Sequence, residues 1–321
     1  MILVLLGVLA FIFALSRAPG NGDPVVGILG EYYTQEAYDA TYTQLGLDKP
    51  IITQYFNYIW GIITRLDLGT SYRSKMAVSQ EVFSRFPVSL RVSLNAVAVS
   101  LPIGILFGMI AAYKQYSAAD YVITVIAMMG QALPSFWLGI MLILLFSVVL
   151  GWLPATGLDS WRGYILPALT MASTPITVLT RMTRATMLEV IRQDYIRTAR
   201  SKGLNERQVL FGHALQNAAI PVVTQVGNQI ALTVGGAAVV ESIFRIPGLG
   251  SYLIFSINAS DHPSVQGTVL MFSVFVTLIN ILIDIIYGFI DPRIKAKYTS
   301  ASRMAKKLNK SVLKAAAKEG A

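Results

Sequence analysis

The polar side chains that could act on a ligand within this apolar chain are few. Thr224, Gln225, Asn228 and Gln229 place hydroxyl and amide groups four residues apart, in a segment from Gln208 to Val240 that has no formal charge. At that spacing side chains share a helix face. They either line a path for a polar solute such as a peptide backbone, or form hydrogen bonds between helices worth about 1 kcal/mol each.

Two carboxylates, Glu241 and Asp284, flank or enter apolar segments. Because a charge inside a membrane is costly, a functional role is the default interpretation of each. Both residues also lie near predicted segment ends, where a structural salt bridge or an interfacial position fits equally well. The sequence leaves these alternatives open.

Motifs for catalysis are missing from this chain. It contains no cysteine, and its two histidines, His213 and His262, lack metal-ligand spacing, so we predict no metal site. No His-Glu-x-x-His, Gly-x-Ser-x-Gly or G-x-x-x-x-G-K-[ST] sequence occurs, so we predict no catalytic residue and no nucleotide-binding loop. An ion-coupled secondary transporter is also disfavoured, since no acidic residue lies centrally in any predicted span.

The elements that position these side chains are predicted to be membrane helices. The chain is 54% hydrophobic and 13% charged, against about 25% charged residues in soluble domains. Apolar runs of about 20 residues match a hydrocarbon core about 30 Å thick. We predict an all-α polytopic membrane protein with six spans: residues 1–16, Val92–Tyr113, Tyr121–Leu158, Leu166–Leu188, Ile220–Val240 and Gly267–Ile290. A signal peptide is the alternative for residues 1–16.

Local signals refine two of these spans. Gly104 and Gly108 have the spacing that permits close helix contact, although such pairs are common by chance. Gly130 and Pro134 predict a kink in the third span, which is longer than one crossing requires.

Lysine and arginine placement predicts the orientation. Three segments separated by pairs of spans share one side of the membrane and together contain most of the basic residues outside the region 17–87: Lys114–Asp120, with Lys114 alone, the loop 189–218 and the tail 291–321. The opposite short loops contain only Arg162 and Arg245. The positive-inside rule therefore places the basic segments and both termini in the cytoplasm. The chain is predicted to divide into a first helix (1–16), an extracytoplasmic region (17–87), a five-helix core (88–290) and the basic tail (291–321). For residues 302–318 of the tail, binding to anionic lipid and exposure to solvent are equally plausible predictions.

The charged stretch Glu189–Pro221 is enclosed between two membrane-length segments. Gly203 predicts a helix end, and Asn205 a cap for a second helix that runs to Pro221, where the next span opens. Small residues at Thr198, Ala199 and Gly203 would let a partner approach closely. The alternative is a solvated loop with ordinary positive-inside charge.

The sequence Arg197-Thr-Ala-Arg-Ser-Lys-Gly203, followed by His213-Ala-Leu and Pro221, resembles the EAA loop of ABC importer permeases. Further motifs resemble the dipeptide, oligopeptide and nickel branch of that family, and they occur in the expected order along nearly the whole chain. They are Arg17-Ala-Pro-Gly, Leu66-Asp-Leu-Gly-Thr-Ser-Tyr, Gln193-Asp-Tyr-Ile, Glu241-Ser-Ile-Phe-Arg-Ile-Pro-Gly-Leu-Gly and Asn280-Ile-Leu-Ile-Asp…Asp291-Pro-Arg. The likeness is to the first, B-type, permease of a peptide system. Arg197-Thr-Ala replaces the general Glu-Ala-Ala, and a basic start before the first span is missing.

The resemblance implies the fold of a type I ABC importer permease in the bacterial inner membrane. It implies a second homologous permease, two ABC ATPase subunits that bind ATP and Mg²⁺, an extracytoplasmic substrate-binding protein, and no nucleic-acid partner. The loop would dock on an ATPase as a coupling helix, through Arg197, Thr198, Ala199, Gly203, Leu204, Glu206 and Arg207. Peptides are the expected substrate, with nickel chelates or glutathione as the alternatives.

Overall fold

The computed structural model describes residues 2–18, 23–30 and 32–290, leaving out the side chains of Ile2, Ile220 and residues 287–290. Within those ranges the chain is helical and has no strand beyond one isolated bridge between Thr70 and Ala77. The helices are α1 Ile2–Ser16, α2 Pro24–Leu29, α3 Gln35–Gln44, α4 Ile51–Arg65, α5 Val78–Tyr113, α6 Ala118–Ala132, α7 Ser135–Leu142, α8 Ile165–Ile191, α9 Asp194–Ser201, α10 Leu215–Gly235, α11 Ala237–Ile243, α12 Leu249–Asn258 and α13 His262–Ile290. A π-helical turn Ile143–Val149 follows α7, a 3₁₀ turn Trp161–Tyr164 precedes α8, and a second π-helical turn Gln208–Ala214 leads into α10. The predicted basic tail lies outside the described residues.

Three described helices are long and apolar enough to cross a membrane: Val78–Tyr113, Trp161–Ile191 and His262–Ile286. Two bent pairs, Ala118–Ala132 with Ser135–Val149 at 103° and Pro221–Gly235 with Ala237–Ile243 at 49°, raise the number to five if each pair is one span. Helix α1 is apolar but shorter. The count of six spans and the positions of the termini stay predictions.

The bend between α6 and α7 lies where the sequence predicts a kink. Helix α6 ends at Ala132, and α7 begins at Ser135 directly after Pro134. Proline has no N–H group and disfavours a helical conformation in the residue before it, here Leu133, whose backbone is extended. This break turns the long apolar segment sharply instead of letting it cross as one straight rod.

Helix α5 starts fourteen residues before the predicted span, at Val78 instead of Val92. The charges that suggested a boundary are accommodated within the helix, because Glu81 and Arg85 form an i,i+4 ion pair at 2.6 Å and Arg91 is exposed. Charge therefore marks the end of the apolar part of this helix and not the end of the helix.

Helices α5 and α8 form the centre of the fold and approach each other at two glycines. A Cβ atom at Gly104 would lie 2.6 Å from the side chain of Leu179, and one at Gly108 would lie 2.7 Å from the Thr180 carbonyl oxygen. Only glycine permits this separation, which agrees with the interpretation of the Gly104–Gly108 pair as a contact motif.

The segment between α1 and α5 is anchored to the start of α13 by one carboxylate. Asp261 is 1% exposed and accepts hydrogen bonds from the Ser71 hydroxyl at 2.5 Å, the Tyr72 amide at 3.1 Å and the Ser264 hydroxyl at 2.9 Å. Burial raises the pKa of Tyr72 to about 12. The loop before α5 is thus fixed to the α12–α13 turn.

Candidate functional site

The loop between α8 and α10 forms a compact helical hairpin. Helix α9 ends at Ser201, and Gly203 has a φ angle of +81°, a left-handed conformation that glycine adopts without strain. Beyond the turn, the Asn205 side chain accepts from the Gln208 amide at 2.9 Å, and the Gln208 side chain accepts from the Asn205 amide at 3.1 Å. This reciprocal pair is a capping box that starts the next helical segment, as the sequence predicts for Asn205.

A salt bridge closes the turn. The Arg200 Nε atom donates to the Glu206 Oε1 atom at 2.9 Å, with both side chains partly exposed. A second pair, Arg197 with Asp194, is longer at 3.9 Å and almost fully exposed, so it adds little to stability. The turn is held by its capping box, its glycine and the Arg200–Glu206 bridge.

The inner face of α9 is packed on the rest of the chain. Ile196 is fully buried and Ala199 is 7% exposed, and both belong to an apolar cluster, here called the hairpin core. The other buried members come from α5, α8 and the segment leading into α10: Met109, Ala112, Met187, Val209, Leu210, Ala214 and Ala218. Helix α9 therefore packs on the turn Gln208–Ala214 and shares one apolar cluster with α5, α8 and α10.

The predicted docking residues separate into three groups by exposure. Arg197, Thr198, Gly203 and Arg207 are exposed on the outer surface, and Leu204 and Glu206 are half-buried. Ala199 faces inward, so its small size serves packing within this chain, whereas the sequence had suggested space for a partner.

The outer surface also contains residues that motif reasoning did not select. Tyr195 and Phe211 are 43% and 51% exposed, and Arg200 is exposed on the same helix as Tyr195. Partial burial raises the pKa of the Tyr195 hydroxyl further above the physiological range. Sequence reasoning did not select Tyr195 and Phe211, because their exposure depends on how the hairpin packs on the rest of the chain. The outer surface combines arginine and aromatic side chains, and both residue types are enriched in protein interfaces.

An ion pair connects the base of α8 to α6. The Arg184 guanidinium donates to both carboxylate oxygens of Asp120, at 2.8 and 2.7 Å, and the Asp120 side chain is 4% exposed. Asp120 also accepts from the Tyr116 amide at 3.1 Å. A bidentate pair is directional, so it fixes the orientation of α8 relative to α6.

Helix α10 continues directly from the hairpin. Pro221, predicted to open the next span, lies inside α10, which begins at Leu215. The π-helical turn Gln208–Ala214 runs directly into α10. Pro221 removes one intrahelical hydrogen bond but does not end the helix. The hairpin and the following apolar segment are thus one mechanical element.

The four predicted lining residues of α10 do not share one environment. Asn228 is exposed, Thr224 and Gln225 are half-buried, and Gln229 is 5% exposed. Between them Gly227 packs so closely on Ile283 of α13 that a side chain there would collide. Gln229 therefore points into the chain, and Asn228 marks the outer face of this helix.

Glu241 has a structural position at a helix terminus. It is completely buried, and one carboxylate oxygen accepts from the Ser251 amide at 2.9 Å in the first turn of α12. A side chain at Gly248 would collide with this carboxylate, and one at Gly250 would lie 2.5 Å from Ala238. The Pro-Gly-Leu-Gly sequence thus lets Glu241 cap α12, an arrangement favoured by the helix dipole.

Asp284 is exposed on α13, between the buried Ile283 and the exposed Ile285. No salt bridge to it occurs among the residues that the structure describes. The functional role and the interfacial position of Asp284 both stay predictions.

Comparisons with known proteins agree with this architecture. Residues 104–296 match the family described as binding-protein-dependent transport system inner membrane component, and residues 1–94 match the N-terminal part of such membrane components. A protein of Brucella abortus named as a peptide transport system permease is 44% identical over 282 residues, covering 85% of this chain and 90% of the relative. The glutathione transport system permease protein GsiC of Escherichia coli is 40% identical, covering 92% and 95%.

A further relative is the di/tripeptide transport system permease protein DppB of Pseudomonas aeruginosa, 39% identical over 90% of this chain and 94% of its own. Among solved structures, the inward-facing MetNI methionine ABC transporter matches with a TM-score of 0.56 and 16% identity, over 64% of this chain and 93% of that chain. At that identity the likeness concerns the fold. The family match and the extent of these relatives lead to one conclusion: the chain belongs to the family of binding-protein-dependent transport system inner membrane components, as a permease component of an ABC importer and not an enzyme.

Proposed function

We propose that this chain imports peptides across a bacterial inner membrane and is driven through the α9 hairpin by an ATPase subunit. One observation carries the coupling proposal: a short helix with an exposed basic and aromatic outer surface is fixed by its inner face to the hairpin core. A push on such a helix cannot be absorbed locally. It moves α5, α8 and α10 together.

The partners are those that membership of this transporter family implies. Two ATPase subunits bind ATP and Mg²⁺ and change their separation during hydrolysis, and one of them receives Arg197, Thr198, Arg200 and Arg207. Because the hairpin continues into α10 and is tied to α6 through Asp120 and Arg184, its displacement reorients the helices around the path.

A second homologous permease completes the path. The outer face of α10 exposes Asn228 and Leu232, the latter by 66%, and the polar Asn228 on that face favours it as the side that meets the second permease. Asn228 and Gln225 offer amide groups without net charge, which suits a peptide backbone. If cysteines at these two positions never react with a polar thiol reagent in any nucleotide state, the lining assignment fails.

Peptides are the substrate class that the relatives named for peptide and di/tripeptide transport support best. Glutathione, the cargo in the name of another relative, is itself a small peptide and is the second candidate. An extracytoplasmic binding protein delivers the substrate to the outer side of the chain. Competition between labelled dipeptides, longer peptides and glutathione for uptake by the assembled transporter distinguishes these cargoes.

A cross-linking experiment tests the docking site. The chain has no cysteine, so Thr198→Cys introduces one unique attachment point for a benzophenone maleimide on the exposed side of α9. We expect a light-dependent cross-link to an ATPase subunit. Thr53→Cys, exposed on α4 in the segment between α1 and α5, is the matched control and should not cross-link to it. Labelled Thr198→Cys that cross-links only to lipid or to the other permease would refute the docking assignment.

A further inference from the structure

Helix α4 has three distinct sides. One side packs on α1: the Tyr55 hydroxyl donates to the Leu6 carbonyl oxygen at 3.0 Å, and the rings of Tyr55 and Tyr58 lie 5.5 and 6.1 Å from that of Phe13. A second side is polar and exposed, with Thr53, Asn57 and Thr64. The third side, here called the apolar face, consists of large side chains that are each more than 60% exposed: Ile52, Phe56, Trp60 and Ile63.

Contacts between α4 and α1 fix the depth of α4. Ser16, the end of α1, accepts a hydrogen bond from the Gln266 side chain at 2.7 Å, directly before the apolar part of α13 starts at Gly267. In the predicted topology, this level is the outer edge of the apolar zone. Leu6 precedes Ser16 by ten residues, which corresponds to about 15 Å along a helix. The Tyr55 hydroxyl therefore reaches towards the middle of a hydrocarbon core about 30 Å thick, whereas Ile51 and Gln54 at the start of α4 line a cavity with Ser16 and Arg17 at its outer edge.

The sequence of α4 suits that depth. No charge occurs between Lys49 and Arg65, which lie at the two ends of the helix. Helix α1, the packing partner, itself exposes large apolar side chains, with Leu3 and Phe11 at 84% and 68%. The apolar face of α4 therefore adjoins a helix whose surface already belongs in lipid.

We infer that α4 is an interfacial helix embedded in the outer leaflet, with its apolar face against phospholipid acyl chains. Its polar side faces the headgroups and water, and the exposed Trp60 occupies the interfacial zone where tryptophan is enriched. Lipid is favoured over a protein partner because the helix is held at membrane depth by α1. The segment between α1 and α5 is thus only partly extramembrane, and α4 supports α1, which is short for a crossing.

Spin labelling tests this assignment, since the chain contributes no native cysteine. Labels at Phe56→Cys and Ile63→Cys on the apolar face, and at Thr53→Cys and Asn57→Cys on the polar side, are compared in the complete transporter in lipid nanodiscs. The unsubstituted chain, which has no cysteine, is treated with the spin label in the same complex to measure the background signal. Power saturation measures the accessibility of each label to oxygen, which partitions into lipid, and to a water-soluble nickel chelate.

The inference predicts that oxygen accessibility exceeds nickel accessibility at Phe56 and Ile63, with the opposite order at Thr53 and Asn57. Dominant nickel accessibility at Phe56 and Ile63 would mean that the apolar face lies in water, and would overturn the inference. Exclusion of both reagents there would mean that a protein covers the face, and would overturn it equally. Two independent positions on the face keep the test valid if one variant does not assemble.

Discussion

Truncation of Ile196 should loosen α9 without touching its outer surface. Ile196 is completely buried in the hairpin core. Replacing it with alanine removes three carbon atoms and leaves a cavity, a change that costs about 2–5 kcal/mol in protein cores. An eight-residue helix is far below the length that is stable alone, so most of this loss falls on the docking of α9. A loss of about 3 kcal/mol corresponds to a roughly hundredfold rise in the population with α9 detached.

Hydrogen exchange of the α9 amides in the assembled transporter measures this population. We expect roughly hundredfold faster exchange in Ile196→Ala, and about fivefold in Ile196→Val, whose cost is about 1 kcal/mol. Transport per ATP hydrolysed should fall in the same order, because a detached helix does not transmit force. Ser201→Ala, an exposed change on the same helix outside the proposed docking residues, should leave exchange unaltered. Unchanged exchange and unchanged transport per ATP in Ile196→Ala would refute the view of α9 as a rigidly attached lever.

Two further substitutions test other joints of the structure. Arg184→Ala leaves the buried Asp120 carboxylate without its partner and should lower the stability of the purified transporter in thermal unfolding by about 3 kcal/mol. The double variant Arg184→Ala, Asp120→Ala should recover part of this loss. Equal stability of the double and single variants would contradict a paired role. Gly248→Ala places a methyl group against the Glu241 carboxylate and should destabilise the start of α12. Gly235→Ala is the control, because a side chain there meets open space. Equal melting temperatures for these two glycine variants would exclude the capping role of Glu241.

Much of the cytoplasmic hairpin could be predicted from the sequence because its signals are local. Gly203 at a helix end and Asn205 at a helix start depend on backbone geometry within a few residues, and both occur where they were expected. The inward direction of Ala199 was not predictable in this way. It depends on the angle at which α9 meets α5 and α10, which is a property of the tertiary fold.

Helix ends were less predictable than apolar runs. Charged residues predict that the second apolar span begins at Val92, whereas the helix that contains it, α5, starts at Val78 and accommodates Glu81 and Arg85 as an ion pair. The role of Glu241 needed the contact with Ser251, ten residues away, which no periodicity reveals. The family resemblance could be stated from motifs because they occur in order along the chain, and the comparisons confirm it.

The central claim, that the α9 hairpin transmits ATPase movement, is tested most directly at Gly203. Its φ angle of +81° lies in the left-handed region, which asparagine and aspartate tolerate better than other side chains, and a Cβ atom added there would have no neighbouring atom within 4 Å. Gly203→Asn and Gly203→Asp thus share similar backbone strain and differ by one negative charge on a cationic docking surface.

The measurement is peptide uptake per ATP hydrolysed by transporters assembled with either variant. We predict that Gly203→Asp retains assembly and loses most of its uptake per ATP, whereas Gly203→Asn stays close to the unsubstituted protein. Equal, near-normal uptake per ATP in both variants would contradict the assignment of this turn as the joint through which the permease is driven.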